Sequence, residues 1–232
     1  MMSFTYYFWY TLSKIAARFF FSFRAVHPER MIEEGPLILA SNHQSYFDPP
    51  LVGICSRRGV YYLARKTLLQ IPLLGKLLPH INVILVDRDG NDMSALKTVI
   101  RTVKSGNAVV LFPEGTRSVD GTLQPAKAGI GLVIAKTRAP VQPMRIFGSH
   151  EAFPKGSGKI SLTPISVVVG NPIRFTPMEL DPATHGGDDR ALYQHLSNRV
   201  MEAIGALSLP ESSLSYSQTS SALPSSPPMP NL

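Results

Sequence analysis

Short apolar runs recur along the chain, each closed by a polar, proline- or glycine-bearing string. Such runs, bounded by turn signals, fit strands buried on both faces. They predict strands at residues 36–41, 60–64, 81–87, 107–112, 140–147 and 160–169, and the intervening segments 49–57, 92–105, 127–137 and 188–206 read as helices. Strands interleaved with helices predict an α/β layered fold around a mixed, largely parallel central sheet flanked by helices. No internal repeat is visible.

The first 23 residues show a different pattern. Phe4, Tyr6, Tyr7, Phe8, Trp9, Tyr10, Phe19, Phe20, Phe21 and Phe23 crowd this stretch, Lys14 and Arg18 interrupt it, and no acid precedes Glu29. At ~1.5 Å per residue a helix of this length just crosses a hydrocarbon core of about 30 Å. Two cations near its middle make crossing costly, and the charges stand in the wrong order for a signal peptide. Aromatic rings favour the membrane–water interface and long cations reach toward phosphates, so the segment is expected to lie in one leaflet as an N-terminal membrane-interface helix. The competing expectation is a helix buried on the domain itself, since the aromatics lie all round the wheel.

Composition sharpens this picture. A chain of 232 residues with 44% hydrophobic content can bury one substantial core, and nothing in it points to a second folded domain. The net charge of +7 attracts anionic surfaces, nucleic acid as well as phospholipid. No nucleic-acid motif or long basic run accompanies it, so no nucleic-acid partner is expected. Cys55 is the single cysteine, which argues against a disulfide scaffold. From Ser208 onward the chain is mainly serine, proline and small residues with Glu211 as the only charge, a composition expected to be disordered.

Two polar strings carry the candidate chemistry. The first, Asn42-His43-Gln44-Ser45-Tyr46-Phe47-Asp48-Pro49, comes just after the apolar run ending at Ala40, and the second, Phe112-Pro113-Glu114-Gly115-Thr116-Arg117-Ser118, comes after Ala108-Val109-Val110-Leu111. An imidazole with an ordinary pKa of about 6.5 can take a proton from a hydroxyl near neutral pH, and a carboxylate on its other nitrogen fixes the tautomer. In one regular helix, residues five apart sit roughly 140° apart, so His43 and Asp48 would not share a face. His43 is therefore expected on a strand-to-helix turn, with Ser41 or Asn42 capping that turn.

Together these strings resemble the signature of the glycerolipid acyltransferases, the family that includes 1-acylglycerol-3-phosphate acyltransferase. The intervening landmarks agree: Arg65-Lys66-Thr67, Ile71-Pro72-Leu73-Leu74-Gly75, the run ending at Arg88, and Ala139-Pro140-Val141-Gln142-Pro143. The resemblance covers about residues 30 to 180 and implies transfer of an acyl chain from acyl-CoA or acyl carrier protein to the free hydroxyl of a lysophospholipid. It makes 1-acylglycerol-3-phosphate the expected acceptor and phosphatidic acid the product. His43 would be the general base and Asp48 its orienter, without a covalent acyl-enzyme. Glu114, Gly115, Thr116 and Arg117, with Arg88 and Lys66, would bind substrate, the arginines holding the phosphate. No cofactor is implied, because the acyl donor is itself a substrate. The rivals are another acceptor, such as a lyso-aminolipid, a lipid hydrolase, and a catalytically silent membrane-binding relative.

The expected organisation is then a membrane-associating helix at 1–26, an acyltransferase domain at 27–207 and a disordered tail at 208–232. The expected location is the cytoplasmic face of the cell membrane, peripheral or monotopic. Other patterns are sparse: no G-x-S-x-G elbow, no H-E-x-x-H, no paired C-x-x-C and no P-loop occur, so no metal site is expected. Gly129-Ile130-Gly131 begins a partial G-x-G-x-x-G, but Ile134 replaces its last glycine, and the string reads as a closely packed helix start.

Overall fold

The computed structural model describes residues 4–86 and 93–210. Its strands are β1 (Arg24–Val26), β2 (Leu37–Ser41), β3 (Val60–Arg65), β4 (Val83–Val86), β5 (Ala108–Leu111), β6 (Val141–Phe147) and β7 (Ser166–Val169). The helices are α1 (Phe4–Phe21), α2 (Asp48–Gly53), α3 (Pro72–Leu77), α4 (Met93–Lys104), α5 (Gly129–Thr137), α6 (Ser149–Ala152) and α7 (Asp189–Gly205). The described strands form one sheet in the order β1-β7-β6-β2-β5-β3-β4, parallel except for the antiparallel β6–β7 pair. This is the mixed, largely parallel sheet that the apolar runs predict.

The runs are continuous because helices cover both faces. In β2 every residue is buried. Leu37 and Leu39 join α1 and α2 in one core, while Ile38 and Ala40 meet α4, α5 and α7 in the other. With side chains alternating across the strand, only an unbroken apolar run can serve both layers. Gly131 belongs to the second layer: a Cβ there would overlap the carbonyl oxygen of Tyr193, so its absence lets α7 lie close against α5. The glycine string at 129–131 is thus a packing device.

Several expected boundaries move. The strand expected at 160–169 is reduced to Ser166–Val169, because Pro164 has no N–H and the chain before it turns, Thr163 N–H donating to Ser161 O at 2.9 Å. The helix expected at 49–57 starts at Asp48 and stops at Gly53. Beyond it, Ser56 Oγ and Arg57 N–H donate to the Glu33 carboxylate, which draws the chain away. A three-residue strand, Arg24–Val26, pairs with β7 inside the segment expected to be helical through residue 26. It is too short to carry a readable alternation. Most of the expected tail, from residue 211, lies outside the described residues.

The N-terminal helix divides its aromatics between two surroundings. Tyr6 and Ala17 are buried, Tyr6 Oη accepts from Val60 N–H at 3.0 Å, and Phe21 packs on Phe47 with ring centroids 5.2 Å apart. The opposite face leaves Phe4, Tyr7, Phe8, Leu12, Ile15, Phe19 and Phe20 exposed. One face is therefore docked on the domain, in line with the competing expectation for this segment, and the other is left apolar and uncovered. No described helix is long and apolar enough to cross a membrane.

Candidate active site

Strands β2 and β5 are parallel neighbours, with Ala40 opposite Leu111. The two polar strings therefore leave the sheet side by side, at the carboxyl ends where open α/β sheets bind ligands. Two contacts join them: His43 N–H donates to Glu114 Oε1 at 3.2 Å and Ser118 N–H donates to His43 O at 2.7 Å, while Lys127 N–H, from the segment before α5, donates to Pro113 O at 2.9 Å.

His43 stands on the turn before α2. Its Nδ1 lies 2.9 Å from Asp48 Oδ2, an oxygen that also accepts from Gln44 N–H at 2.6 Å and Ser45 N–H at 2.7 Å. The oxygen that accepts both main-chain N–H groups accepts the third contact as well when the proton of the neutral imidazole sits on Nδ1. The lone pair is then left on Nε2, the arrangement a general base needs. Phe112 stacks on the imidazole at 4.0 Å and 15°, fixing the ring plane. Asp48 is fully buried, whereas the His43 side chain keeps 18% of its surface open.

The expected caps are corrected by their partners. Ser41 remains within β2. Asn42 clamps β6, its Nδ2 donating to Ile146 O at 3.0 Å and its Oδ1 accepting from Ile146 N–H at 2.7 Å. Asp48 itself gathers the loop's main-chain donors. Ser45 Oγ donates to Phe153 O at 3.0 Å and is buried, so this hydroxyl is committed to the fold.

In the second string, Glu114 is buried and its Oε2 has no protein partner. Burial pushes its carboxyl up to about 7, against the lowering effect of the His43 N–H. Gly115 has a φ of +67°, a conformation costly for any residue with a Cβ, and Lys127 Cδ would lie 3.0 Å from that atom. Arg117 lays its guanidinium on the ring of Tyr46, 3.4 Å from the centroid, and its Nη1 is buried without a protein partner. A cavity of about 310 Å³ opens here, lined by Thr116, Arg117, Ser118, Asp120, Gln124 and Lys155.

His43, Asp48, Glu114, Gly115, Thr116 and Arg117 are thus brought together. Lys66 comes directly after β3, one strand beyond β5, and is exposed at the same sheet edge. Arg88 lies outside the described residues. Tyr46 and Phe112 stand in the two strings without a role legible from sequence, because their use depends on which side chain lies opposite. Lys155 carried no signal, being far from both strings in sequence.

The family profile described as Acyltransferase matches residues 23–147, more than half of the chain. The chain belongs to this acyltransferase family. Within the family its relatives are of the glycerolipid, PlsC-like kind. It is 33% identical over 151 residues to a 1-acyl-sn-glycerol-3-phosphate acyltransferase of Cocos nucifera, covering 64% of this chain and 49% of that protein. A Bacillus subtilis protein of the same name is 27% identical over 154 residues, covering 65% and 73% of the two chains. The chain spans about half the length of the plant relatives it matches. The fold is like that of the 1-acyl-sn-glycerophosphate acyltransferase PlsC of Thermotoga maritima, with a TM-score of 0.67 at 23% identity, covering 87% of this chain and 80% of that one.

Proposed function

We propose that this protein transfers an acyl chain from acyl-CoA or acyl carrier protein to the free hydroxyl of 1-acylglycerol-3-phosphate, forming phosphatidic acid. The observation that carries the reading is the His43–Asp48 pair, joined through main-chain bonds to the loop that presents Arg117. His43 Nε2 takes the proton of the acceptor hydroxyl as its oxygen attacks the thioester carbonyl. The carbon–sulfur bond then breaks, and the imidazolium returns the proton to the departing thiolate. Asp48 holds the ring and offsets its transient charge. Arg117, a planar permanent cation with an unused buried donor, is suited to the acceptor's phosphate.

The same reading puts the protein on a membrane surface through the uncovered face of α1. Support comes from a line of rings: Phe21 on Phe47 at 5.2 Å, Phe47 on Phe153 at 5.3 Å, and Phe153 on Tyr46 at 5.8 Å, with Arg117 over Tyr46. An apolar path thus runs from the end of α1 to the phosphate-binding arginine. A lipid acceptor can keep its chain near the leaflet while its headgroup reaches the base. The test is an acceptor panel with labelled acyl-CoA. Transfer to lysophosphatidate in preference to phosphate-free or amino-headgroup lysolipids supports the proposal, and transfer only to another acceptor overturns it.

A further inference from the structure

We propose that Lys155 is the second cation of the acceptor-headgroup subsite and sets the preference for a phosphate monoester; this rests on the acyltransferase reading above. Lys155 lies beyond the residues matched by the family profile, on the segment after α6, yet it shares the 310 Å³ cavity with Arg117. Its Nζ donates to the Arg117 main-chain carbonyl at 3.1 Å. An ammonium has three donors, so two more can serve a ligand.

Charge balance points the same way. A phosphate monoester carries about −1.5 to −2 charges near neutral pH. Arg117 and Lys155 are the two cations on the cavity wall. The acid on the cavity wall, Asp120, is turned into its own loop, where it accepts from Thr122 Oγ1 at 2.7 Å, Thr122 N–H at 3.0 Å and Ser118 Oγ at 2.9 Å. Those bonds, chiefly that from the Thr122 side chain, hold its carboxyl down at about 2. No acid occurs between Glu151 and Glu179, whereas Lys155, Lys159 and Arg174 do. The cavity is tied to the loop that carries the base, because Ser118, on its wall, donates its N–H to the His43 main-chain carbonyl. With Arg117 and Lys155 positive and Asp120 negative, the cavity's charged side chains keep a net positive charge that a neutral or zwitterionic headgroup would leave unmatched. Such a mismatch discriminates between acceptors instead of merely adding affinity.

Lys155→Gln and Lys155→Arg separate charge recognition from a purely structural tie. Glutamine keeps a donor for the Arg117 carbonyl but removes the charge, and arginine keeps both. The full-length protein is assayed with acyl-CoA and either lysophosphatidate or monoacylglycerol, and glycerol 3-phosphate serves as a headgroup probe that inhibits by competition. Losing one charge-assisted contact at this half-exposed site should raise KM for lysophosphatidate about tenfold in the glutamine variant, with a parallel loss of glycerol 3-phosphate inhibition. KM for acyl-CoA and for monoacylglycerol should stay within about twofold, and the arginine variant should retain most of the lysophosphatidate affinity. An unchanged lysophosphatidate KM in Lys155→Gln, or an equal rise for both acceptors, overturns the assignment while leaving the acyltransferase reading intact. A wild-type protein that acylates neither acceptor from either acyl-CoA or acyl carrier protein overturns both.

Discussion

The main-chain N–H of His43 donates to Oε1 of Glu114, so the loop that carries the base is held by a buried acid from the neighbouring strand's loop. The contact places the two strings in register. It also makes that register sensitive to the protonation of Glu114.

Glu114→Gln keeps an acceptor for His43 N–H and removes the charge. Burial raises the folded-state pKa of Glu114 from 4.5 to about 7. A carboxyl with a raised folded pKa contributes its full stability below its unfolded pKa and loses it progressively up to the folded pKa. Thermal melting should therefore show Glu114→Gln gaining on the wild type as pH rises from about 5 to about 8, with little difference near pH 4. A constant difference across this range would remove the proposed cause.

Asp48→Asn should lower kcat by on the order of 100-fold or more while leaving both KM values near those of the wild type. The amide still meets the loop N–H groups through its oxygen, but the anion that fixes the Nδ1–H tautomer is gone. Nδ1 can be followed by NMR of the imidazole, whose tautomer ratio should shift in the variant.

Arg117→Ala should raise KM for lysophosphatidate at least about tenfold and change KM for acyl-CoA far less, because a charge-assisted hydrogen bond is commonly worth ~1.5–3 kcal/mol. Tyr46→Leu removes the ring under the guanidinium and should weaken the same acceptor by a smaller factor. Initial rates with each substrate varied in turn distinguish this pattern from an equal effect on both, which would mark a structural role.

Deleting the N-terminal segment would be a poor test of membrane attachment, since Tyr6, Ala17 and Phe21 are packed into the domain. Phe8→Ser with Phe19→Ser changes only the uncovered face, where the two rings are 52% and 79% exposed. Burial of such side chains in the membrane interface is worth up to about 1.5–3 kcal/mol each, so partition to anionic vesicles should fall at least about tenfold with melting unchanged. Raising salt should weaken the remaining attraction of Lys14, Arg18 and Arg24. Undiminished vesicle sedimentation by the double variant would place the contact elsewhere.

The sheet was legible because its central strands are buried on both faces, which demands unbroken apolar runs such as Leu37-Ile38-Leu39-Ala40. The His43–Asp48 pair was legible because two polar strings, each following such a run, together resemble one family's signature in the right order; a histidine and an aspartate at this spacing are common taken alone. Adjacency is the part that local sequence leaves open. Nothing local indicates that β2 lies beside β5, that Tyr46 lies under Arg117, or that Lys155 reaches the Arg117 carbonyl. These contacts join segments far apart in the chain. Likewise the caps assigned to Ser41 and Asn42 rest on local propensity, and Asn42 is drawn instead to Ile146 across the sheet.

The central claim, that His43 is the base of an acyl transfer, is tested most directly by single-turnover transfer of a labelled acyl chain from acyl-CoA to lysophosphatidate, comparing wild type with His43→Ala at matched melting temperature. Labelled phosphatidic acid is expected from the wild type, and a rate lower by about 100- to 10,000-fold in the variant. Transfer at a near wild-type rate by folded His43→Ala would contradict the claim.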